Sequence, residues 1–306
     1  MSSNACEIAP GVLFLRTLIA NLYLIKEGTA WVLVDAGLRG YADTIRSTAR
    51  EFVGSIAPPV TIVLTHGHFD HVGSLPALLE TWDVPVFAHA MERPYLTGVS
   101  PYPPPDPLAG GGLMTWLSKL YPRGPIDLGR RFEPLSESKA IPGLTEWKWI
   151  PTPGHTAGHV SLFRERDRVL IAGDAVTTVK QESMSAVMTQ RPELHGPPAY
   201  YTPDWATASE SVRRIAALEP DILATGHGEP RRGPVMRAEL RALAARFAEH
   251  EIPGFGRYAR QPAITDEHGI VMLPADPLPR FAAGVAIVAG VAWGLSLARH
   301  RGIAES

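Results

Sequence analysis

Short apolar runs alternate along the chain with longer segments of helical spacing. Turn-forming or charged residues separate the runs, which is typical of strands. The runs lie at residues 12–15, 21–25, 31–34, 60–64, 84–88, 147–150, 169–172 and 222–225. Apolar residues three or four positions apart predict helices at residues 41–53, 73–81, 204–218 and 235–250. Strands and helices in this order predict an α/β architecture of packed layers.

Two irregular segments, at residues 96–129 and 177–203, interrupt this rhythm. The first is rich in proline and glycine around one short apolar helix candidate at 113–117. A long irregular insertion in a compact domain is usually a lid, a binding loop or a disordered segment. Because Trp116 and Tyr121 would be costly in plain solvent, we expect a lid in preference to an inert surface loop.

Composition limits the classes of partner. With 306 residues, of which 45% are hydrophobic, the chain can bury a sizeable core in one large or two modest domains. The net charge is -2, and no basic cluster is denser than Arg231-Arg232. This pattern predicts no nucleic-acid partner, so we expect a small-molecule substrate.

The chain has one cysteine, Cys6, close to an N-terminus that we expect to be frayed. A single cysteine excludes an internal disulfide framework and any cysteine-based zinc site, which suits a reducing compartment. Residues 1–7 show no basic segment that leads into an apolar one. We therefore predict no secretory signal and a cytoplasmic location for the catalytic part.

The most informative stretch is THGHFDH at residues 65–71, which directly follows the apolar run at 60–64. We expect it on the loop at the carboxyl end of a strand, where α/β sheets place their ligands. Its imidazole and carboxylate groups cannot all close one tetrahedron, because neighbouring side chains leave the backbone in different directions. Two metal ions that share the cluster are the economical solution. This ligand set favours Zn²⁺ first, then Fe or Mn.

Three further candidates follow other predicted strands. Asp35, Asp174 and His227 each lie at or just past the end of an apolar run, as His66 does. Ligands of α/β proteins gather at the carboxyl ends of strands, so we predict that these four residues converge on one rim.

With this ordered set of motifs, the sequence resembles the metallo-β-lactamase superfamily, whose members are metal-dependent hydrolases with an αββα sandwich fold. The resemblance covers roughly residues 10–250. It implies two divalent metal ions with Asp174 as a bridge between them. The implied ligands of the first ion are His66, His68 and His155, and those of the second are Asp70, His71 and His227.

The chemistry that the resemblance implies is hydrolysis. A water molecule between two metal ions has its pKa lowered to roughly 7, so that a metal-bound hydroxide is available as the nucleophile at neutral pH. One ion polarises the substrate carbonyl and the other receives the oxyanion or the leaving group. The resemblance also implies that Asp70 relays a proton to the departing group.

Several activities of the superfamily remain open. Members with di-iron redox chemistry resemble this pattern with a glutamate at the position of His68, so the histidine favours hydrolysis. Our leading prediction is a glyoxalase II-like hydrolase of a small ester, thioester or lactone, although Thr177 stands where lactonases commonly carry a tyrosine. The alternatives are a β-lactamase and an iron-dependent oxidoreductase similar to persulfide dioxygenases. A catalytically silent binding protein is disfavoured, because every implied ligand is present.

Five further residues are candidates around the predicted site. Asp35 resembles a buried aspartate beneath the site, where it would accept a hydrogen bond from a ligand histidine and fix its tautomer. His159 lies in a strand-like context and is predicted to support the site or the core. Lys180 is either a partner for a substrate carboxylate or a solvated loop charge. His195 and Tyr200 lie in the second irregular segment as candidate substrate contacts.

The end of the chain differs from the rest. We predict a catalytic domain at residues 1–270 and, at 271–306, a proline-rich linker followed by an apolar helix. Residues 281–298 carry no charge, and as a helix they would span roughly 27 Å, close to the thickness of a bilayer core. Gly290 and Gly294 form a pair suited to helix association in lipid. This predicts a C-terminal anchor to the inner face of a membrane, with packing on protein as the competing interpretation.

Overall fold

The computed structural model describes residues 4–277, and the described residues up to Leu273 form one compact unit. The strands are β1 Ala5–Ala9, β2 Val12–Thr17, β3 Ala20–Glu27, β4 Ala30–Val34, β5 Thr61–Val63, β6 Val86–Ala88, β7 Phe132–Pro134, β8 Ala140–Ile141, β9 Leu144–Pro151, β10 Val160–Arg164, β11 Val169–Ile171, β12 Ile222–Ala224, β13 Arg231–Arg232, β14 Ile264–Asp266 and β15 Gly269–Met272. The α-helices are α1 Ala42–Val53, α2 Phe69–Val72, α3 Leu75–Leu79, α4 Arg93–Leu96, α5 Leu113–Leu117, α6 Met184–Thr189, α7 Trp205–Ala217 and α8 Gly233–His250.

Two sheets carry the fold. The first has seven strands in the order β1 to β7; its neighbours are antiparallel up to β4 and parallel from β4 onwards. The second has the order β13-β12-β11-β10-β9-β8, with a parallel pair at β11 and β12. Strands β14 and β15 pair separately as an antiparallel hairpin.

Successive residues of the first sheet point into two different cores. Leu13 and Leu24 lie directly opposite each other and pack in the cluster that contains α1 and α3. Their neighbours Phe14 and Tyr23 form the next pair and pack in the cluster between the two sheets. A strand buried on both faces shows an unbroken apolar run, which explains why these strands lack a polar face in the sequence.

A third core covers the outer face of the second sheet. Leu170 and Leu223, on the parallel pair, pack with Val212 and Ile215 of α7 and with Leu240 of α8. Helix α7 begins after Asp204, whose carboxylate accepts a hydrogen bond from Thr207 N at 3.0 Å. The layers are therefore helix, sheet, sheet and helix, and the predicted αββα sandwich is confirmed.

The expectation of a frayed N-terminus is wrong. Strand β1 pairs antiparallel with β2, and its residues Ile8 and Ala9 are buried. The turn between the two strands is formed by Pro10 and Gly11, and Gly11 has a φ of +74°. A proline–glycine pair is a turn signal that could have predicted this hairpin. Cys6 is a free, exposed cysteine on β1.

Three further elements differ from the predictions. The helix expected at 73–81 is shorter: only α3 lies in that range, with Pro76 in its first turn, and the separate helix α2 precedes it inside the ligand motif. Proline lacks the N–H that a continuous helix would need there. Helix α6 has six residues, too few for a clear period. The hairpin β14–β15 is largely exposed, so it shows no apolar run.

The apolar stretch at 281–298 lies outside the described residues. The membrane anchor and the division of the chain at residue 270 therefore stay predictions. Within residues 4–277, no helix combines the length and the apolar character needed to cross a lipid bilayer.

A buried cation ties the end of β10 to its neighbours. Arg164 is fully buried, and its guanidinium donates hydrogen bonds to both carboxylate oxygens of Asp167, at 2.8 and 2.7 Å. A third hydrogen bond reaches Pro10 O at 3.0 Å. The guanidinium also lies 5.0 Å from the centre of the Trp147 ring. These contacts link the β1–β2 turn to the second sheet.

We expect Arg164→Ala to lower the free energy of unfolding by about 3 kcal/mol, because Asp167 and Pro10 O lose their buried donor. Arg166→Ala is the matched control: its side chain is 50% exposed and pairs with Glu146 at 2.8 Å. Its loss should cost less than about 1 kcal/mol. Urea unfolding of both variants measures the difference, and equal losses would contradict the assigned role of Arg164.

Candidate metal centre

The seven implied ligands lie together at the carboxyl ends of strands from both sheets. Asp35 and His66 follow β4 and β5, His155 lies between β9 and β10, and Asp174 and His227 follow β11 and β12. All of these side chains are buried. Nitrogen and oxygen atoms within 4.8 Å of one another form three groups: His66, His68 and His155; Asp70, His71 and His227; and His66, His71 and Asp174.

Asp174 lies between the first two groups. Its Oδ1 is 3.4 Å from His71 Nε2, and its Oδ2 is 3.1 Å from His227 Nε2 and 3.5 Å from His155 Nε2. Asp70 Oδ2 approaches His227 Nε2 to 3.4 Å on the other side. One carboxylate thus reaches imidazoles of both groups, which is the arrangement that a bridging ligand needs.

Asp35 fixes the tautomers of two of these histidines. Its Oδ2 accepts hydrogen bonds from His71 Nδ1 at 2.9 Å and from Thr65 Oγ1 at 2.8 Å. Because the Thr65 hydroxyl donates to Asp35, it accepts from His66 Nδ1 at 3.1 Å. Both rings therefore carry a proton on Nδ1 and turn Nε2 towards the cluster. His227 does the same by donating from Nδ1 to Ile19 O at 2.8 Å.

His159 supports Asp174 from behind. Its Nε2 accepts a hydrogen bond from Asp174 N at 2.9 Å, and its Nδ1 lies 2.9 Å from Thr152 Oγ1. Burial lowers the pKa of His159 to about 4, so the ring is neutral and can act as an acceptor. Both ring nitrogens are used within the protein, which makes His159 a positioning residue.

The structure brings Tyr200 to the cluster but places Lys180 and His195 elsewhere. Tyr200 lines the cavity beside Asp70 and Asp174. Lys180 and His195 line a separate cavity of about 770 Å³ against α8. There, His195 Nδ1 lies 3.5 Å from a carboxylate oxygen of Glu251. Neither residue is in the described lining of the cavity beside Asp70 and Asp174.

The five histidines of the cluster fall into two groups according to the direction in which their pKa is shifted. Burial and the neighbouring imidazoles lower the pKa of His66 and of His155 well below the usual value, and burial lowers the pKa of His68 to about 3. Burial would also lower the pKa of His71 and of His227, but Asp174 outweighs it and raises both. Three rings are thus neutral, and the other two hold protons that a cation would displace.

Three buried atoms in the cluster make no hydrogen bond within the described part of the chain: His66 Nε2, His71 Nε2 and Asp174 Oδ1. Buried polar atoms without a hydrogen-bond partner are costly unless another group satisfies them. Imidazole and carboxylate are donors that suit Zn²⁺, Fe or Mn. The residues present therefore fit a metal centre that takes electron pairs from these atoms.

Glycine allows the close approach that the cluster needs. Gly226 precedes His227, and a Cβ added there would collide with Asp174 Oδ1. Gly67 separates His66 from His68, and a Cβ there would collide with the Tyr102 hydroxyl. Any larger residue at these two positions would displace an implied ligand or its support.

Glu92 is a supporting residue that the sequence analysis missed. It is fully buried and accepts hydrogen bonds from Gly67 N at 3.1 Å and from Gly158 N at 3.0 Å. It also accepts from Thr156 Oγ1 at 2.6 Å and from the hydroxyl of Tyr102. The carboxylate joins the loop of His66 and His68 to the loop of His155. Its place shortly after β6, on the same rim as the ligands, is the signal that could have found it.

Two cavities adjoin the cluster, and Tyr201 lines both. The first, which we call the front cavity, has a volume of about 250 Å³ and contacts His68, Asp70, Asp174 and His227. The other has about 350 Å³ and contacts His68 and His155. Tyr201 stacks on His68 with the ring centres 4.6 Å apart. The front cavity reaches members of both ligand groups, which makes it the candidate place for the reacting bond.

The proline-rich insertion forms walls of both cavities. Met114 and Tyr121 line the front cavity, and Tyr102 lines the other. The predicted short helix at 113–117 is present as α5. The insertion thus lines both cavities beside the cluster, and its role as a lid stays a prediction.

Comparison with known proteins agrees with this fold and site. The family model described as the metallo-beta-lactamase superfamily matches residues 15–227. A Bacillus subtilis (strain 168) protein named "Probable metallo-hydrolase YflN" is 49% identical over 81% of this chain and 95% of its own length. A second protein of that organism, "Probable metallo-hydrolase YybB", is 30% identical over 68% of this chain and 80% of its own.

Solved structures show the same fold. The metallo-beta-lactamase family protein TTHA1429 from Thermus thermophilus has a TM-score of 0.54 at 20% identity, covering 79% of this chain and 80% of that one. A beta-lactamase domain protein from Burkholderia ambifaria has a TM-score of 0.53 at 22% identity, covering 79% and 76%. The architecture is that of the metallo-β-lactamase fold. The chain belongs to the metallo-β-lactamase superfamily.

We expect Glu92→Gln to weaken metal binding by about 10- to 100-fold, because an amide cannot accept all four hydrogen bonds and both ligand loops lose their common anchor. Competition with a chelator measures this affinity. Glu137→Gln, an exposed position away from the cluster, is the matched control and should leave the affinity unchanged. Wild-type affinity in the Glu92 variant would show that the loops hold their positions without this carboxylate.

Proposed function

We propose that this protein is a metal-dependent hydrolase of a small ester, thioester or lactone, with two divalent ions held by the cluster. The observation that carries the proposal is the position of the Asp174 carboxylate between two groups of imidazole and carboxylate ligands. The names of the two B. subtilis relatives support hydrolysis as the class of reaction.

The donor set supports zinc as the first choice of metal, with Fe or Mn as alternatives. Five implied ligands are imidazoles and two are carboxylates, which suits borderline cations. His66, His68 and His155 would hold the first ion, and Asp70, His71 and His227 the second, with Asp174 shared. When bound, such ions supply a water of lowered pKa and a Lewis acid for the substrate carbonyl.

The residues of the chain supply orientation and proton handling. Asp70 faces the front cavity with one oxygen 3.4 Å from His227 Nε2, so it can pass a proton to the leaving group of a substrate bound there. Asp35 keeps the proton of His71 on Nδ1, and His159 holds the backbone of Asp174. Tyr201 covers one face of the His68 ring and limits access of water from that side.

A substrate panel tests the reaction class. Zinc-loaded protein should hydrolyse at least one member of a set of esters, thioesters and lactones, with phosphodiesters and a β-lactam as further members. Metal analysis and oxygen consumption are measured on the same preparation. Iron in place of zinc, together with thiol-dependent oxygen uptake and no hydrolysis, would replace the hydrolase by an oxidoreductase of the same fold.

Asp174→Ala should abolish hydrolysis and lower the metal content, because two cations would then face each other without the shared negative charge. Asp174→Asn should be nearly as damaging, since an amide has a similar shape and no charge. Metal content per chain and turnover are measured together. Asp83→Asn, whose side chain is 83% exposed, is the matched control and should behave as wild type. Two bound ions and near-normal turnover in the Ala variant would refute the bridging role.

A further inference from the structure

The wall of the front cavity is mostly apolar. Beyond the cluster and three tyrosines, its lining consists of Leu18, Ile19, Leu38, Phe69, Met114 and Pro198. Most of these side chains come from three separated parts of the fold: the β2–β3 turn, the ligand motif and the insertion. Apolar walls with a few polar groups at one end are typical of sites that bury an apolar part of a ligand.

Two of the three tyrosines add little polarity to the wall. The Tyr121 hydroxyl donates to Met114 O at 3.3 Å, and the Tyr201 hydroxyl donates to Pro122 O at 3.4 Å. Both hydroxyls are therefore engaged with the backbone of the insertion. What these residues offer to a ligand is mainly the surface of their rings.

The described lining of the front cavity includes no lysine or arginine. Cations of neighbouring segments are used elsewhere: Arg16 pairs with Glu229, and Arg123 donates two hydrogen bonds to Tyr102 O. Lys180 lines the separate cavity against α8. A negatively charged group on the apolar part of a substrate would lose its water here without gaining a cation from the protein wall.

The volume limits the size of the group that fits. A water molecule, with its single non-hydrogen atom, occupies about 30 Å³ in the liquid. A cavity of about 250 Å³ therefore holds roughly eight non-hydrogen atoms on that measure. Exposed Leu18, at 64%, marks the mouth, whereas Met114, at 7%, closes the interior.

From these observations we infer that the front cavity binds an uncharged, apolar group of the substrate, of the size of a medium-chain acyl or a simple aryl group. The cavity selects against substrates that carry a carboxylate on that group. The identity of the bond that is cleaved rests on the proposed function, but recognition of the apolar group can be tested without turnover.

The first test measures binding alone. Neutral aliphatic amides of increasing length, from propanamide to decanamide, are titrated into the metal-loaded protein and followed by NMR. The dissociation constant should fall about fourfold per methylene until the cavity is full, and then level off. A dissociation constant that is independent of chain length would overturn the inference, whether or not any ester is hydrolysed.

Two methionine variants distinguish binding in the front cavity from binding elsewhere on the surface. Met114→Ala enlarges the cavity, so the chain length at which the affinity levels off should increase by about two or three carbons. Met188→Ala, at a position that is 70% exposed and outside the described lining, should leave the profile unchanged. The same profile in wild type and Met114→Ala would show that the amides bind elsewhere.

The second test concerns charge and uses surface positions that should not disturb folding. Esters of pentanoic acid and monoesters of pentanedioic acid with the same alcohol are compared by kcat/KM, and the charged acyl group should be at least about 30-fold poorer. Leu18→Arg should improve the charged substrate about tenfold. Val235→Arg, 65% exposed and in the first turn of α8, should not. Equal use of both acyl groups by wild type would overturn the inference.

The two tests distinguish a failure of the proposed function from a failure of the inference about the front cavity. If the protein hydrolyses no ester, thioester or lactone, the proposed function fails, and the amide series still decides whether the cavity recognises apolar groups. If hydrolysis occurs but chain length and charge have no effect, the proposed function stands and the inference fails.

Discussion

Burial of one carboxylate among five imidazoles is the constraint on which the site depends. Asp174 follows a strand of the second sheet, yet the ring of His71, its partner at 3.4 Å, belongs to α2, which follows a strand of the first sheet. The carboxylate can be there only if His159 holds its backbone and Gly226 leaves room for its oxygen. A negative charge without water in this place needs cations or protons around it.

The same edge of the sandwich is closed by hydrogen bonds between the sheets. The Tyr23 hydroxyl and Asn21 Nδ2 of β3 both donate to Thr225 O, at 2.7 and 2.9 Å, directly before Gly226 and His227. Glu92 likewise joins the loops of His66 and His155 by accepting hydrogen bonds from both. The ligands are thus held by uncharged donors and by the carboxylates of Asp35 and Glu92, which keeps Nε2 of His66 and His71 directed at the cluster.

Local signals predicted much of this arrangement, while the missing parts depend on distant contacts. The motif at 65–71 and the apolar runs are contiguous in sequence, so their roles could be inferred. Glu92 and Tyr102 act through contacts with residues 25 to 66 positions away, and the only local signal is the position of Glu92 shortly after β6. Lys180 and His195 were expected near the site, but Thr177 pairs with His195 through backbone hydrogen bonds of 3.0 and 2.9 Å. Lys180 and His195 line the cavity against α8.

Hydrogen bonds tie the insertion to a late part of the chain, and this has a consequence for how the protein could change its substrate. Tyr258 donates to Pro104 O at 2.7 Å, and Asp106 accepts hydrogen bonds from Leu108 N and Arg257 N. The insertion lines the front cavity through Met114 and Tyr121. Arg257 and Tyr258, which donate hydrogen bonds to it, lie in a late part of the chain that supplies no implied ligand. Evolution can therefore reshape the binding wall by altering 103–108 or 256–258 while the chemistry stays intact. Substrate range and metal chemistry thus depend on different segments of the chain, so that mutation can alter one and leave the other.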